Sequence, residues 1–227
     1  LTFNTPTGST LTSSGIISGA TTGGFRKEGL GTAVLQAQSP SAVTTGTLTV
    51  AAGTLRLDAA TAGGTVWGPA SQPLSLGTAS GTFGPGGTLE ITGTSAQSFG
   101  AVTVTAKANK ISLTGAMTLT LGTLTRTSGA TLDFSVPSGT VASAHAAVAG
   151  LVNGATTWNG DDWAAANGTN IGQLGVIGAY TALTGTGSAP TITTSSSANY
   201  TITSGSTNNI VPAAAGTLAS PHDPNTI

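Results

Sequence analysis

Asp161 and Asp162 are the only adjacent carboxylates in the chain, and a carboxylate pair is the minimum equipment for general acid–base or glycosidic chemistry. Neighbours on an extended strand point to opposite faces, however, and no basic residue lies near them in sequence. They follow Asn159-Gly160, a strong signal for a tight reversal, so the pair reads as a solvated turn. Weak Ca²⁺ binding is the second reading, since such a loop needs several carboxylates or carbonyls to hold the ion. Catalysis comes last. The acidic inventory is Glu28, Asp58, Glu90, Asp133, Asp161, Asp162 and Asp223, too thin for a groove of clustered acids. No catalytic, cofactor-binding or metal-binding residue is assigned, and the chain is read as non-enzymatic.

The remaining chemical residues fare no better. His145 and His222 lie far apart, without metal-pair spacing, and their neighbours are Ala and Pro rather than carboxylates. Gly84-Pro85-Gly86-Gly87 precedes no helix and lacks the Lys-Ser/Thr of a phosphate loop. Arg26-Lys27-Glu28 reads as a solvated turn, with a salt bridge to the next coil as the sharper alternative. Trp67, Trp158 and Trp163 are the residues to watch: either they form a sugar-stacking platform, or they close a core or cap a coil. The second is expected.

Composition narrows the class. Charged residues make up 6% of the 227, against roughly 25% in an average soluble domain, and the net charge is −1. Such a chain has no long-range field to steer nucleic acid, so no nucleic-acid partner is expected. Cysteine is absent, which removes disulfides and thiolate metal sites. No apolar run approaches the roughly 18 residues of a membrane helix, and no membrane insertion is expected. No signal-peptide pattern is present and Leu1 already lies in a strand-like stretch, as in a mature or excised segment.

The elements that must position these residues are strands. Thr is about one residue in five. A short phrase recurs: GTLTV at 46–50, GTLRL at 53–57, GTLEI at 87–91, GAVTV at 100–104, NKISL at 109–113, GAMTL at 115–119, GTLTR at 122–126 and GATLDF at 129–134. Within each phrase the aliphatics share one strand face and Thr or a charge takes the other. Gly before each phrase supplies a turn. Apart from the gap between 53 and 87, these starts fall about 6–13 residues apart, which leaves no room for helices, so the fold is read as all-β. A sandwich or barrel with a hairpin at each Gly fits the spacing, but only a β-solenoid explains why the phrases resemble one another, because stacked positions meet identical surroundings.

Near residue 140 the texture changes. Residues 141–152 (VASAHAAVAGLV) read as a short helix or a coil packed over the solenoid. Trp158 and Trp163 flank the Asn159-Gly160 reversal and are placed to pair across it. The stretches 171–183 and 190–203 look extended again, and 212–227 looks like a connector.

The segment 23–57 (GGFRKEGLGTAVLQAQSPSAVTTGTLTVAAGTLRL) resembles the autotransporter-associated β-strand repeat, also called the passenger-associated transport repeat. Gly24, Lys27, Gly29, Gly31, Thr32, Leu35, Gly53, Thr54, Leu55 and Leu57 carry the match. Gln38-Ser39-Pro40-Ser41 replaces the family's usual Asn-Thr-Tyr-x-Gly middle. The rest is similar to the segments downstream of such repeats in very large planctomycete- and verrucomicrobia-type surface proteins. The resemblance implies a right-handed β-helix, export, an extracellular or cell-surface location, and a role as stalk, fibre or adhesin.

The expectation is therefore an all-β chain: a right-handed parallel β-helix (β-solenoid) over 1–140, a β-rich insertion or second lobe over 141–211, and a connector to the next repeat or subunit over 212–227. Because 225–227 (NTI) and 1–5 (LTFNT) would join into one strand region, the chain is expected to be a repeat or subunit that self-associates end to end. An adhesin for glycans or neighbouring cells is the alternative, and a polysaccharide-degrading enzyme ranks third.

Overall fold

A computed structural model describes residues 1–19, 24–36, 41–43, 46–78, 85–105, 107–144, 150–174, 176, 177, 181, 182, 200 and 201. The described residues form a β-solenoid of about six turns built from parallel sheets. The first face stacks Thr2–Asn4, Phe25–Glu28, Leu48–Val50, Leu74–Leu76, Val102–Val104 and Leu124–Arg126. The second and widest stacks Thr10–Ser13, Thr32–Leu35, Gly53–Asp58, Pro85–Thr92, Lys107–Thr114, Ala130–Ser135 and Thr156–Trp158. The third runs Ser18–Gly19, Ser41–Val43 and Trp67–Gly68, then resumes at Gln97–Phe99, Thr118–Leu121 and Thr140–Ser143.

Register explains the recurring phrase. Thr10 lies beside Thr32, Thr32 beside Thr54 and Thr88 beside Lys110, so one coil takes 22 residues. Facing inward on the second face, Leu11, Ala33, Leu55, Leu89, Ile111, Phe134 and Trp158 form one column. Facing outward beside them are Thr10, Thr32, Thr54, Thr88, Lys110, Asp133 and Thr157. Leu55, Leu89 and Ile111 are fully buried, and each such side chain stabilises the fold by about 1.5–3 kcal/mol. One coil is longer. Thr54 sits beside Thr88, 34 positions on, and the extra chain holds a one-turn helix at Ala59–Ala62.

Corners stack as closely as strands, and this is what the glycines are for. A Cβ on Gly29 would stand 2.3 Å from the Thr5 carbonyl oxygen, and one on Gly53 would stand 2.4 Å from the Gly29 oxygen. Both glycines also have positive φ, at 72° and 65°. No other residue satisfies the contact and the dihedral together.

The third face has a break, which a side chain mends. Trp67–Gly68 and Gln97–Phe99 share no ladder, but the Gln97 amide donates to the Trp67 carbonyl and accepts from the Trp67 N–H at 3.2 Å. A buried glutamine thus stands in for the missing backbone pair.

After Thr140–Ser143 the pattern reverses. Asp162–Ala166 runs antiparallel to Thr156–Trp158, and Asn170–Gln173 runs antiparallel both to it and to Thr140–Ser143. These strands bridge the second and third faces and close the end of the stack. The described residues between 141 and 173 are therefore β-rich and are bonded directly to the last coil. Of the two readings of 141–152, a short helix or a packed coil, the helix is not found where the stretch is described: residues 141–143 are strand because Val141 and Ala142 continue the ladders above Leu119 and Thr120, and Gly150 and Leu151 pair with Ala166 and Ala165. The connector at 212–227 lies outside the described residues.

Candidate functional site

Of the three tryptophans, Trp67 is fully buried. Its ring meets Phe25 edge-on at 5.4 Å, and Phe25 meets Phe3 at 5.0 Å, so an aromatic diagonal crosses the first coils. The indole Nε1 donates to Gln72 Oε1 at 2.7 Å, and Gln72 Nε2 passes the bond on to the Gly46 carbonyl at 2.7 Å. Trp67 is core. Trp158 packs on Phe134 at 6.0 Å and closes the far end of the interior. Trp163 is 40% exposed.

Trp158 and Trp163 do not pair across the reversal. Trp158 lies opposite Asp162 and Trp163 opposite Thr157, which are successive positions, so the two rings take opposite faces. The reversal itself is as expected: Asn159 and Gly160 have φ of 55° and 72°, and Asp161 N–H donates to the Trp158 carbonyl at 3.2 Å. Asp161 is exposed beside it, and Asp162 Oδ1 accepts from the Trp163 N–H at 2.7 Å. Among the described residues no three His, Cys, Asp or Glu side chains gather as metal ligands. His145 and His222 lie outside the described residues.

Arg26-Lys27-Glu28 is not a solvated turn. It is a strand, and alternation sends Lys27 inward while Arg26 and Glu28 pair outside it. Lys27 is fully buried, in a column that continues as Val50, Leu76 and Val104. Its ammonium donates to the carbonyls of Glu28 and Gly29, each at 2.7 Å, and of Ala52 at 3.1 Å. All three donors are matched, which is the condition for burying a charge. Burial pushes its pKa below the ordinary 10.5, and the Glu28 charge works against that shift. Burial works to raise the Asp58 carboxyl, but hydrogen bonds from Gln36, Thr61 and Thr92 override it and hold the group at about 2. Both are structural roles that residue types alone did not reveal.

Charges on the second face pair between coils. Arg56 meets Glu90 at 3.0 Å in direct register, and Lys110 meets Asp133 at 3.7 Å. The sides of the solenoid thus carry hydroxyls and self-neutralised charges.

The ends differ from the sides. Large apolar side chains that stand exposed are Leu1, Leu11, Ile16 and Leu30 in the first coils and Leu151, Trp163 and Val176 at the cap. Among the described residues none lies between. Among the described residues Thr2–Asn4 and Thr10–Ser13 each pair on one edge only, and no described residue continues beyond Phe3 and Leu11 the interior columns that they begin. At the far end the cap strands take the free edges of the second and third faces. There the first face is finished by Asn153, whose Nδ2 donates to the Leu124 carbonyl at 3.1 Å and whose carbonyl accepts from Arg126 Nε at 3.1 Å. Sequence spacing signalled the strands, but not which end would be open. No helix among the described residues is long and apolar enough to cross a membrane. Compared with known proteins, the chain matches no family model, no curated protein and no solved structure.

Proposed function

We propose that the chain is a non-enzymatic structural repeat or subunit of an exported bacterial surface or extracellular fibre, associating with its own kind end to end. The observation that carries this reading is that, among the described residues, exposed large apolar side chains are confined to the two ends, with a parallel rung at one of them paired on one edge only. Uncovered strand edges are templates for further pairing, and apolar patches mark association surfaces. The resemblance of 23–57 to autotransporter-associated repeats supports export and a surface location. Because the cap is antiparallel, contact at that end runs through side chains such as Trp163 and Leu151, not through a continued parallel ladder.

Negative-stain imaging of the purified chain tests this. Rods several times the length of one six-turn body, roughly 30 Å at about 4.8 Å per rung, are expected. Leu11→Asp with Ile16→Asp should shorten them to single bodies. Single bodies of the unaltered chain at high concentration would sink the reading. The second reading, an adhesin, is favoured by the exposure of Trp163: loss of glycan binding in Trp163→Ala, with rods intact, would select it.

A further inference from the structure

Every Asn-Gly pair in the chain lies in the region of the cap: Asn153-Gly154, Asn159-Gly160 and Asn167-Gly168. In such a pair the glycine amide nitrogen can attack the asparagine side-chain carbon with no Cβ to hinder it. The three differ in what surrounds them. At Asn153 and Asn167 the side-chain nitrogen, the group that would leave, is tied to the carbonyls of Leu124 and Ile177, each at 3.1 Å. At Asn159 the bonds fall elsewhere. Its Oδ1 accepts from the Val136 N–H at 2.6 Å, which polarises the amide carbonyl and matches the charge that forms on attack, whereas Asn167 Oδ1 accepts a longer bond from the Asn170 N–H at 3.3 Å. The attacking group, Gly160 N–H, donates to Asp133 Oδ1 at 2.9 Å, so a base already touches the proton to be removed. Thr157 Oγ1 at 2.8 Å and Lys110 Nζ at 3.7 Å hold that carboxylate in place. Asn159 and Gly160 are both exposed, so water reaches them.

We propose that Asn159 is a self-modification site, cyclising onto Gly160 with Asp133 as base and the Val136 N–H as oxyanion donor. The Gly160 N to Asn159 Cγ bond forms as Asp133 takes the nitrogen's proton. The Asp133 carboxyl then returns that proton to the side-chain nitrogen of the tetrahedral intermediate, the Cγ–Nδ2 bond breaks, and ammonia departs to leave a five-membered succinimide. Water then adds to either ring carbonyl and opens it to aspartate or isoaspartate; nothing is oxidised or reduced. Isoaspartate lengthens the backbone inside a turn whose Asn159 N–H is fixed to the Phe134 carbonyl at 2.7 Å. The Trp158–Asp162 pairing shifts with it, and the cap loosens.

The test is peptide mapping of the purified chain during incubation at neutral pH, following amide-to-acid mass gain and isoaspartate at all three pairs. In the folded protein Asn159 should convert fastest, and unfolding in urea should slow it towards the other two. Asp133→Asn should slow Asn159 by about tenfold or more while leaving Asn153 and Asn167 unchanged, with circular dichroism confirming the fold. The comparison of folded with unfolded chain needs no variant, so it stands if Asp133→Asn fails to fold. Conversion of Asn159 no faster than its neighbours when folded, or faster in urea, overturns the proposal, as does an unchanged rate in folded Asp133→Asn.

Discussion

Lys27 and Arg126 stand in one register column of the first face, separated by Val50, Leu76 and Val104, and each turns its charge onto backbone carbonyls at the same corner of its coil. Arg126 Nη1 reaches the Ala130 carbonyl at 2.8 Å and its Nε reaches Asn153, while Lys27 takes Glu28, Gly29 and Ala52. Between them the column is apolar, and along it the carbonyls of Lys27, Val50, Leu76 and Val104 each accept from a corner N–H, of Ala51, Gly77, Thr105 and Thr127.

Lys27→Met keeps the volume of the side chain but takes the ammonium bond from three corner carbonyls, of which that of Glu28 still accepts from the Thr5 N–H at 3.0 Å. It should destabilise the solenoid by about 2–4 kcal/mol, read as a lower urea midpoint at unchanged slope. A loss below about 0.5 kcal/mol would show that the ammonium contributes nothing net.

Corner glycines should divide by what a Cβ would strike. Gly29→Ala and Gly53→Ala drive a methyl into backbone, and each should cost about 3 kcal/mol or more. Gly129→Ala, also at positive φ but with open space around it, should cost only about 1 kcal/mol. Thermal unfolding of the three variants side by side checks the order.

Acid should weaken the fold through Asp58. Its folded carboxyl sits at about 2, below the ordinary 3.8, so the unfolded chain binds the proton first as pH falls. The stabilisation is complete above pH 3.8 and disappears as pH drops through about 2. Asp58→Asn should flatten the stability curve across that window, and an unchanged acid slope would exclude Asp58 as its source.

Thr156 is fully buried, and its hydroxyl finds no partner. Replacing it with Val removes an unsatisfied polar atom while nearly keeping the shape, so stability should rise by about 1 kcal/mol. A fall in the melting temperature would count against this.

Much of the fold was legible because the alternation in GTLRL, GTLEI and NKISL is the alternation of inward and outward columns, with Leu55, Leu89 and Ile111 in one register. The Asn159-Gly160 reversal was equally plain. Lys27 was not, because its neighbours Arg26 and Glu28 do face solvent and a charged triplet hides the strand's alternation. The roles of Gln97 and Asn153 depend on partners 30 and 29 residues away, which local pattern cannot register. For the tryptophans, residue type allowed both fates. Coil register decided between them, burying Trp67 and leaving Trp163 outside.

Sealing one extremity with crossed strands while the other stays bare gives the body a direction. A rung laid against Thr2–Asn4 and Thr10–Ser13 finds a ready template, but the cap strands offer a comparable rung nothing to copy. The two ends are therefore unlike, and any thread assembled with the cap of one body against the open rung of the next would carry an intrinsic polarity.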